Sequence, residues 1–245
     1  MIQLSPSRRP NNHLLASLSQ ADFALLQPHF AAVDLPLRKI LEAQNKPIRY
    51  VYFPEAGLVS VVAMGGNDRE IEAGIIGRDG MTGMAVMLGT DRSPDASFVQ
   101  VAGRGLGIES SALLEAMQQS ATLRGCFLRF VRAFMTQMAQ TTLANGRAKI
   151  EERLARWLLM ASDRLNADAL PLTHEFLGIM LGVRRAGVTM ALQALQKRKL
   201  ISSKRGAIEL LNRRKLEKTA NGFYGVAEAE YRRLTGWDSR RGPRP

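Results

Sequence analysis

His174–Gln193 reads HEFLGIMLGVRRAGVTMALQ, and its spacing decides how the rest of the chain is read. Leu177 and Leu181 fall on one face of a first helix, Gly178 leaves room for a close crossing, and Gly182 can take the turn. Val188, Ala191 and Leu192 then give a second helix its buried side. Two short helices bury each other only by approaching tightly, so these positions must be apolar or small. Thr173 can cap the first helix through its hydroxyl. Exposed at the start of the second are Arg184, Arg185, Thr189 and Met190, where a helix-turn-helix meets base edges in a major groove. A pair of core helices in an all-α domain would share the periodicity but not the hairpin that follows.

That hairpin is basic. Leu200-Ile201-Ser202-Ser203 and Ala207-Ile208-Glu209-Leu210 read as short strands around Lys204-Arg205-Gly206, with Gly206 able to supply the positive φ of a tight turn. Two cations at such a tip can lie across a phosphate backbone as a wing. The candidate DNA-contacting set is Thr173, His174, Arg184, Arg185, Gly187, Thr189, Met190, Gln193, Lys204 and Arg205.

Charge follows the same division. Residues 1–145 hold 13 Lys and Arg against 12 Asp and Glu, whereas residues 146–245 hold 21 against 10. A neutral front and a basic rear fit a regulatory or assembly domain joined to a polyanion-binding one; a solvated basic surface without a partner is the alternative. The length of 245 residues allows two domains. No apolar run approaches the ~20 residues needed to cross a bilayer, and the start, MIQLSPSRRPNN, lacks a secretory hydrophobic stretch. The expectation is a cytoplasmic protein with a loose first dozen residues.

Enzyme chemistry finds no foothold. The single cysteine, Cys126, excludes an intramolecular disulfide and any cysteine-based zinc or iron–sulfur site within one chain. With Leu123, Phe127 and Phe130 around it, it reads as a small buried hydrophobe. His13, His29 and His174 are scattered, so no metal and no cofactor is expected. There is no Gly-x-x-x-x-Gly-Lys loop and no G-x-S-x-G elbow, and Gly103–Gly107 lacks the spacing of a nucleotide loop.

In front of the helix-turn-helix the texture changes twice. Leu14 to Phe30 carries two short helical patterns, the second opened by Ser19 and stopped near Pro28. From Arg49 to about Ile108, runs such as Tyr50-Val51-Tyr52-Phe53 and Leu58-Val59-Ser60-Val61-Val62 alternate with turn residues, among them Gly65-Gly66-Asn67. Eleven of the chain's 21 glycines lie between Gly57 and Gly107. That density excludes a long helix and predicts a compact antiparallel β-roll of about eight short strands. After Ser110, Leu123, Phe127, Phe130, Phe134, Met138 and Thr141 recur at helical spacing over about six turns. Phe127, Phe130, Phe134 and Met138 are the candidate dimer interface; packing of that stripe on its own β-roll is the alternative. Asn145-Gly146 breaks the pattern. Ile150, Leu154, Trp157, Leu158, Ala161 and Leu165 mark a further helix behind the motif, Asn166 to Pro171 a loop, and Leu216 onward more helix. The expected division is 1–118 β-roll, 119–145 dimerisation helix, 146–235 winged helix-turn-helix and 236–245 disordered basic tail. The fold class is α+β.

The order β-roll, long helix, winged helix-turn-helix resembles that of the Crp/Fnr family of bacterial transcription regulators over nearly the whole chain. LTHEFLGIMLGVRRAGVTMALQALQKRKLI at Leu172–Ile201 carries the specific likeness, and GIIGRDGMTGMAVMLGTDRSP at Gly74–Pro94 a weaker one to the segment holding a cyclic-nucleotide phosphate. The resemblance implies a cyclic-nucleotide-binding-like β-roll, a homodimer, no enzymatic activity, and double-stranded DNA bound as a pseudo-palindromic operator. RNA polymerase is the family's further partner, with no residue here to identify its contact surface. It also implies weak effector-site candidates at Gly83, Arg92 and Ser93.

The departures limit what carries over. Where ligand-binding members have Gly-Glu, this chain has Gly83-Met84, and a thioether cannot accept from two ribose hydroxyls. Their Arg-Ser-Ala is echoed only by Arg92-Ser93-Pro94, in which proline lacks a backbone donor. The long helix is apolar near Met138 and Ala139, where those members offer polar contacts to the base. The iron–sulfur route needs several cysteines. On the DNA side Arg185 matches the family's guanine-reading arginine, while Ala186 and Met190 replace a Glu and an Arg, so the operator should differ. Arg184 stands where a serine-type cap is usual. The effector is expected to be unknown or absent; a cyclic-nucleotide-responsive activator is the alternative.

Overall fold

The computed structural model describes residues 2–3, 10–66, 69–204 and 206–237. Asn67, Arg205 and the tail from residue 238, all invoked above, lie outside them. The front sheet contains β1 (Ile2–Gln3), β2 (Ala31–Leu35), β3 (Ile40–Glu42), β4 (Tyr50–Met64), β5 (Glu70–Ile76) and β6 (Ala96–Glu109). Their order is β1-β2-β6-β4-β5, with β3 also paired to β6, and every pairing is antiparallel. Eight short strands were expected; the described residues form six, and β4 and β6 run for 15 and 14 residues. Pro54 and Gly57 mark bends inside β4 rather than its ends, with register shifts between Pro54 and Ala56 and on to Val59. The strands cross so closely there that a β-carbon on Gly103 would lie 2.1 Å from the Ala56 carbonyl oxygen. A bulged strand keeps its ladder while bending, which sequence punctuation cannot distinguish from a break.

Around the sheet lie α1 (His13–Ala16), α2 (Gln20–Leu26), α3 (Met84–Met87), α4 (Ser110–Gln119) and α5 (Ala121–Arg147). Ser19 caps α2, its hydroxyl accepting from the Asp22 N–H at 3.0 Å. The first dozen residues are not uniformly loose. Ile2–Gln3 pair with β2, and Asn12 is fully buried, donating to the carbonyls of Pro54 and Gly80.

α5 turns most of the expected dimer stripe toward its own chain. Phe127, Phe130 and Phe134 are only 0, 2 and 3% exposed within a single chain. Phe127 packs on Phe53 with ring centroids 5.9 Å apart, and a β-carbon on Gly80 would meet the Phe130 ring at 2.4 Å. Met138 is half-buried against the same core. Phe127, Phe130 and Phe134 therefore cover the β-roll's own core within one chain, and Met138 is only partly covered. Leu128, Met135, Ala139 and Leu143 face outward instead. The helix also runs through Asn145-Gly146 to Arg147.

The rear half comprises α6 (Ile150–Leu165), β7 (Ala169–Leu170), α7 (His174–Leu181), α8 (Arg185–Lys197), β8 (Ile201–Lys204), β9 (Ala207–Leu210), α9 (Arg213–Thr219) and α10 (Val226–Thr235). Its core gathers Leu154, Leu158, Leu177, Val188, Leu192 and Leu195, and extends into the sheet at Leu58, Ile75 and Val101. β7, read above as loop, is a two-residue strand pairing with β9, too short to leave a pattern.

Buried polar contacts join the halves. Arg164 of α6 pairs with Asp79 at 3.1 Å, both nearly unexposed. Trp157 Nε1–H donates to Glu72 Oε1 at 2.5 Å, the Ser60 hydroxyl donates to Glu72 Oε2 at 2.6 Å, and the Tyr231 hydroxyl donates to the Asp79 carbonyl. Buried charges persist only when paired, so these groups fix how the halves dock. Trp237, placed above in the tail, stacks on His13 at 4.4 Å between centroids. Among the described residues no helix is long and apolar enough to cross a membrane, and no group of three His, Cys, Asp or Glu could hold a metal ion.

Candidate nucleic-acid interface

The turn between α7 and α8 is built from its residues as follows. Thr173 caps α7, its hydroxyl accepting from the Phe176 N–H at 3.4 Å. α7 stops at Gly182, whose φ of +57° is a left-handed conformation that L side chains rarely adopt. Gly178 is small for the turn rather than for α8: a β-carbon there would lie 3.3 Å from the Val183 carbonyl. Arg184 occupies the N-cap of α8 and makes no side-chain cap bond, which leaves its guanidinium free to point outward. Leu177, Val188, Ala191 and Leu195 are completely buried, and Leu181 and Leu192 nearly so. Arg153 of α6 donates to the Leu181 carbonyl and holds the end of α7.

α8 therefore presents one outer face. Arg185, Thr189, Gln193 and Gln196, spaced i, i+4, i+8 and i+11, line a groove of about 900 Å³ with Thr173 and Glu175 at one wall and Ser203, Lys204 and Gly206 at the other. β8 and β9 pair from Ile201–Leu210 to Lys204–Ala207, so the hairpin turns in two residues, and Gly206 has φ +76°. The wing is thus held beside α8. A groove with a guanidinium and an ammonium, amide side chains on its floor and a strand edge beside it can donate to phosphate oxygens and to base edges at once.

Not every candidate joins it. Thr173, Arg185, Thr189, Gln193 and Lys204 share the groove; Arg184 and Met190 are exposed outside its lining. Gly187 lies outside the groove lining and packs closely, since a β-carbon there would meet Ile150 at 3.2 Å and its N–H bonds the Arg184 carbonyl at 2.9 Å. His174 opens α7, with its side chain outside the described set, as is Arg205. Sequence reasoning missed Glu175, Gln196 and Ser203. The i, i+3 step from Gln193 to Gln196 was the available signal, whereas Glu175 reaches the groove through tertiary packing.

The three effector candidates have different hydrogen-bond partners. Gly83 donates its N–H to Glu42 Oε1 at 2.6 Å, and burial holds the Glu42 carboxyl above its ordinary range. Arg92 lies on the surface and donates to Asp91 at 3.3 Å, and the Ser93 hydroxyl accepts from the Asp95 N–H. The Gly83 N–H is thus already taken by the chain's own Glu42 carboxyl.

Comparison with known proteins agrees with this architecture. Residues 152–219 match the Crp-like helix-turn-helix domain family. Over 78% of this chain and 96% of the other, the fold matches FixK2 from Bradyrhizobium japonicum at 19% identity and a TM-score of 0.69. The c-di-GMP responsive global regulator CLP of Xanthomonas campestris matches at 17% identity and TM-score 0.65, covering 78% of this chain and 99% of that one. A CRP-family transcriptional regulator from Thermus thermophilus matches at 20% identity and TM-score 0.61, covering 78% and 97%. No curated protein matches by sequence. Residues 152–219 are thus a Crp-like helix-turn-helix domain, carried by a chain with the fold of the Crp/Fnr transcriptional regulators.

Proposed function

We propose that the chain is a homodimeric, sequence-specific transcription regulator acting in the cytoplasm on a pseudo-palindromic operator. α8 enters the major groove, Arg185 reads a guanine, Thr189 and Gln193 contact neighbouring edges, and Lys204 with Arg205 on the wing grips phosphates. Arg184, exposed at the N-cap, reaches phosphate or base. The single observation carrying this reading is the groove that joins Arg185, Thr189 and Gln193 of α8 to Lys204 of the wing. In this reading two α5 helices pair through Leu128, Met135, Ala139 and Leu143, and the half-sites lie about 34 Å apart. The Glu42 carboxyl on the Gly83 N–H argues against a cyclic nucleotide at that position.

The test is fluorescence anisotropy with upstream DNA at several salt concentrations. The reading expects a sequence preference and an affinity falling steeply with salt as phosphate contacts release counterions. Binding without either feature would defeat it.

A further inference from the structure

We propose that the cleft between the β-roll and α7 binds a hydrophobic monocarboxylate, whose head group takes Arg38 away from Glu175. The cleft holds about 380 Å³, within the range of small-molecule sites, and its apolar surface comes from Ile40, Met64, Phe98, Phe176 and Ile179. Ile40 is 66% exposed although it lies on a strand. An apolar surface open to water beside a cation fits an amphipathic acid.

Arg38 supplies the head-group site. It sits at φ +67°, a left-handed conformation uncommon for a residue other than glycine, and its N–H is anchored to the Val99 carbonyl at 2.8 Å. Its guanidinium lies 5.6 Å over the Phe176 ring and donates through one nitrogen to Glu175 Oε1 at 2.9 Å. A guanidinium that binds one carboxylate through a single nitrogen can hold another in bidentate fashion, and Glu175 shows which chemistry it accepts. Glu70 and Glu175 at the same rim disfavour a second negative charge. The ligand therefore carries one carboxylate rather than two, or a phosphate.

Glu175 also lines the groove beside Arg185. While paired with Arg38 its charge is offset; once a ligand holds Arg38, an unpaired carboxylate faces the phosphates. Ligand binding then weakens DNA binding. Both partners are exposed, at 63 and 68%, so the effect is modest, at most about fivefold in affinity.

This inference rests on the DNA-binding reading for its consequence but not for the site, and the test separates the two. Calorimetric titration of the full chain with octanoate, without DNA, should show one saturable site per chain. Arg38→Met should weaken it at least about threefold, and Glu175→Gln should tighten it by removing the competing carboxylate. Octanol, which lacks the charge, should bind more weakly. Absence of saturable octanoate binding at millimolar concentration, or equal binding to Arg38→Met, overturns the proposal. Octanoate binding that follows this pattern in a chain that does not bind DNA would uphold the site while removing the function proposed above.

Discussion

Replacing Glu72 by glutamine should stabilise the chain at pH 8 and much less at pH 5. Glu72 is fully enclosed between the sheet and α6, where burial drives its carboxyl from the ordinary 4.5 up to about 7; bonds from Ser60 and Trp157 and the nearby Arg156 and Arg164 oppose that rise. In the unfolded chain the same group ionises near its ordinary value. The folded-state value is the higher one, so the stability associated with the proton is complete below about 4.5 and is lost as pH rises through 7. The gap between 4.5 and about 7, at about 1.4 kcal/mol per decade of proton affinity, amounts to about 3 kcal/mol. Glutamine keeps both contacts without charge: its carbonyl accepts from Trp157 Nε1–H and its amide donates to the Ser60 hydroxyl. Thermal melts of both proteins at intervals from pH 5 to 8 isolate the group, because every other titration is shared. The variant's advantage should grow to roughly 6–12 °C for a chain of this size. A melting difference independent of pH, or a variant less stable at pH 8, would refute the reasoning.

Three further outcomes follow from the packing. Met135→Asp, at a position 55% exposed on α5, should yield a folded monomer by sedimentation, whereas Phe130→Asp should fail to fold; a dimeric Met135→Asp would remove α5's outer face from the interface. Gly80→Ala should cost about 1–3 kcal/mol in urea unfolding, since its methyl group must displace the Phe130 ring from 2.4 Å, and an unchanged midpoint would contradict that contact. Lys204→Ala should lower the slope of log affinity against log salt by about one while leaving base preference intact.

How much of this was legible in the sequence varied with the physics. The α7–α8 motif was readable because its buried positions are fixed by local periodicity, and Leu177, Val188, Ala191 and Leu192 are buried as that periodicity requires. The α5 stripe was equally visible, but periodicity says only that a face is apolar, not what covers it; the β-roll does. Long strands were misread as short because bulges at Pro54 and Gly57 resemble ends. The charges buried in α6, Arg156 and Arg164, were the available sign that the two halves are joined by polar contacts. Arg185, Thr189, Gln193 and Lys204 were named from sequence and line one groove, while Gly187 packs close to Ile150 outside that lining.

Selection of bound sequences from a random DNA pool, run in parallel with the native chain and Arg185→Ala, shows whether α8 reads an operator as a dimer. The native protein should enrich an inverted repeat with half-sites about one helical turn apart, and the variant should lose its preference for one guanine in each half. An unchanged repeat with Arg185→Ala, or no repeat with the native chain, would contradict that expectation.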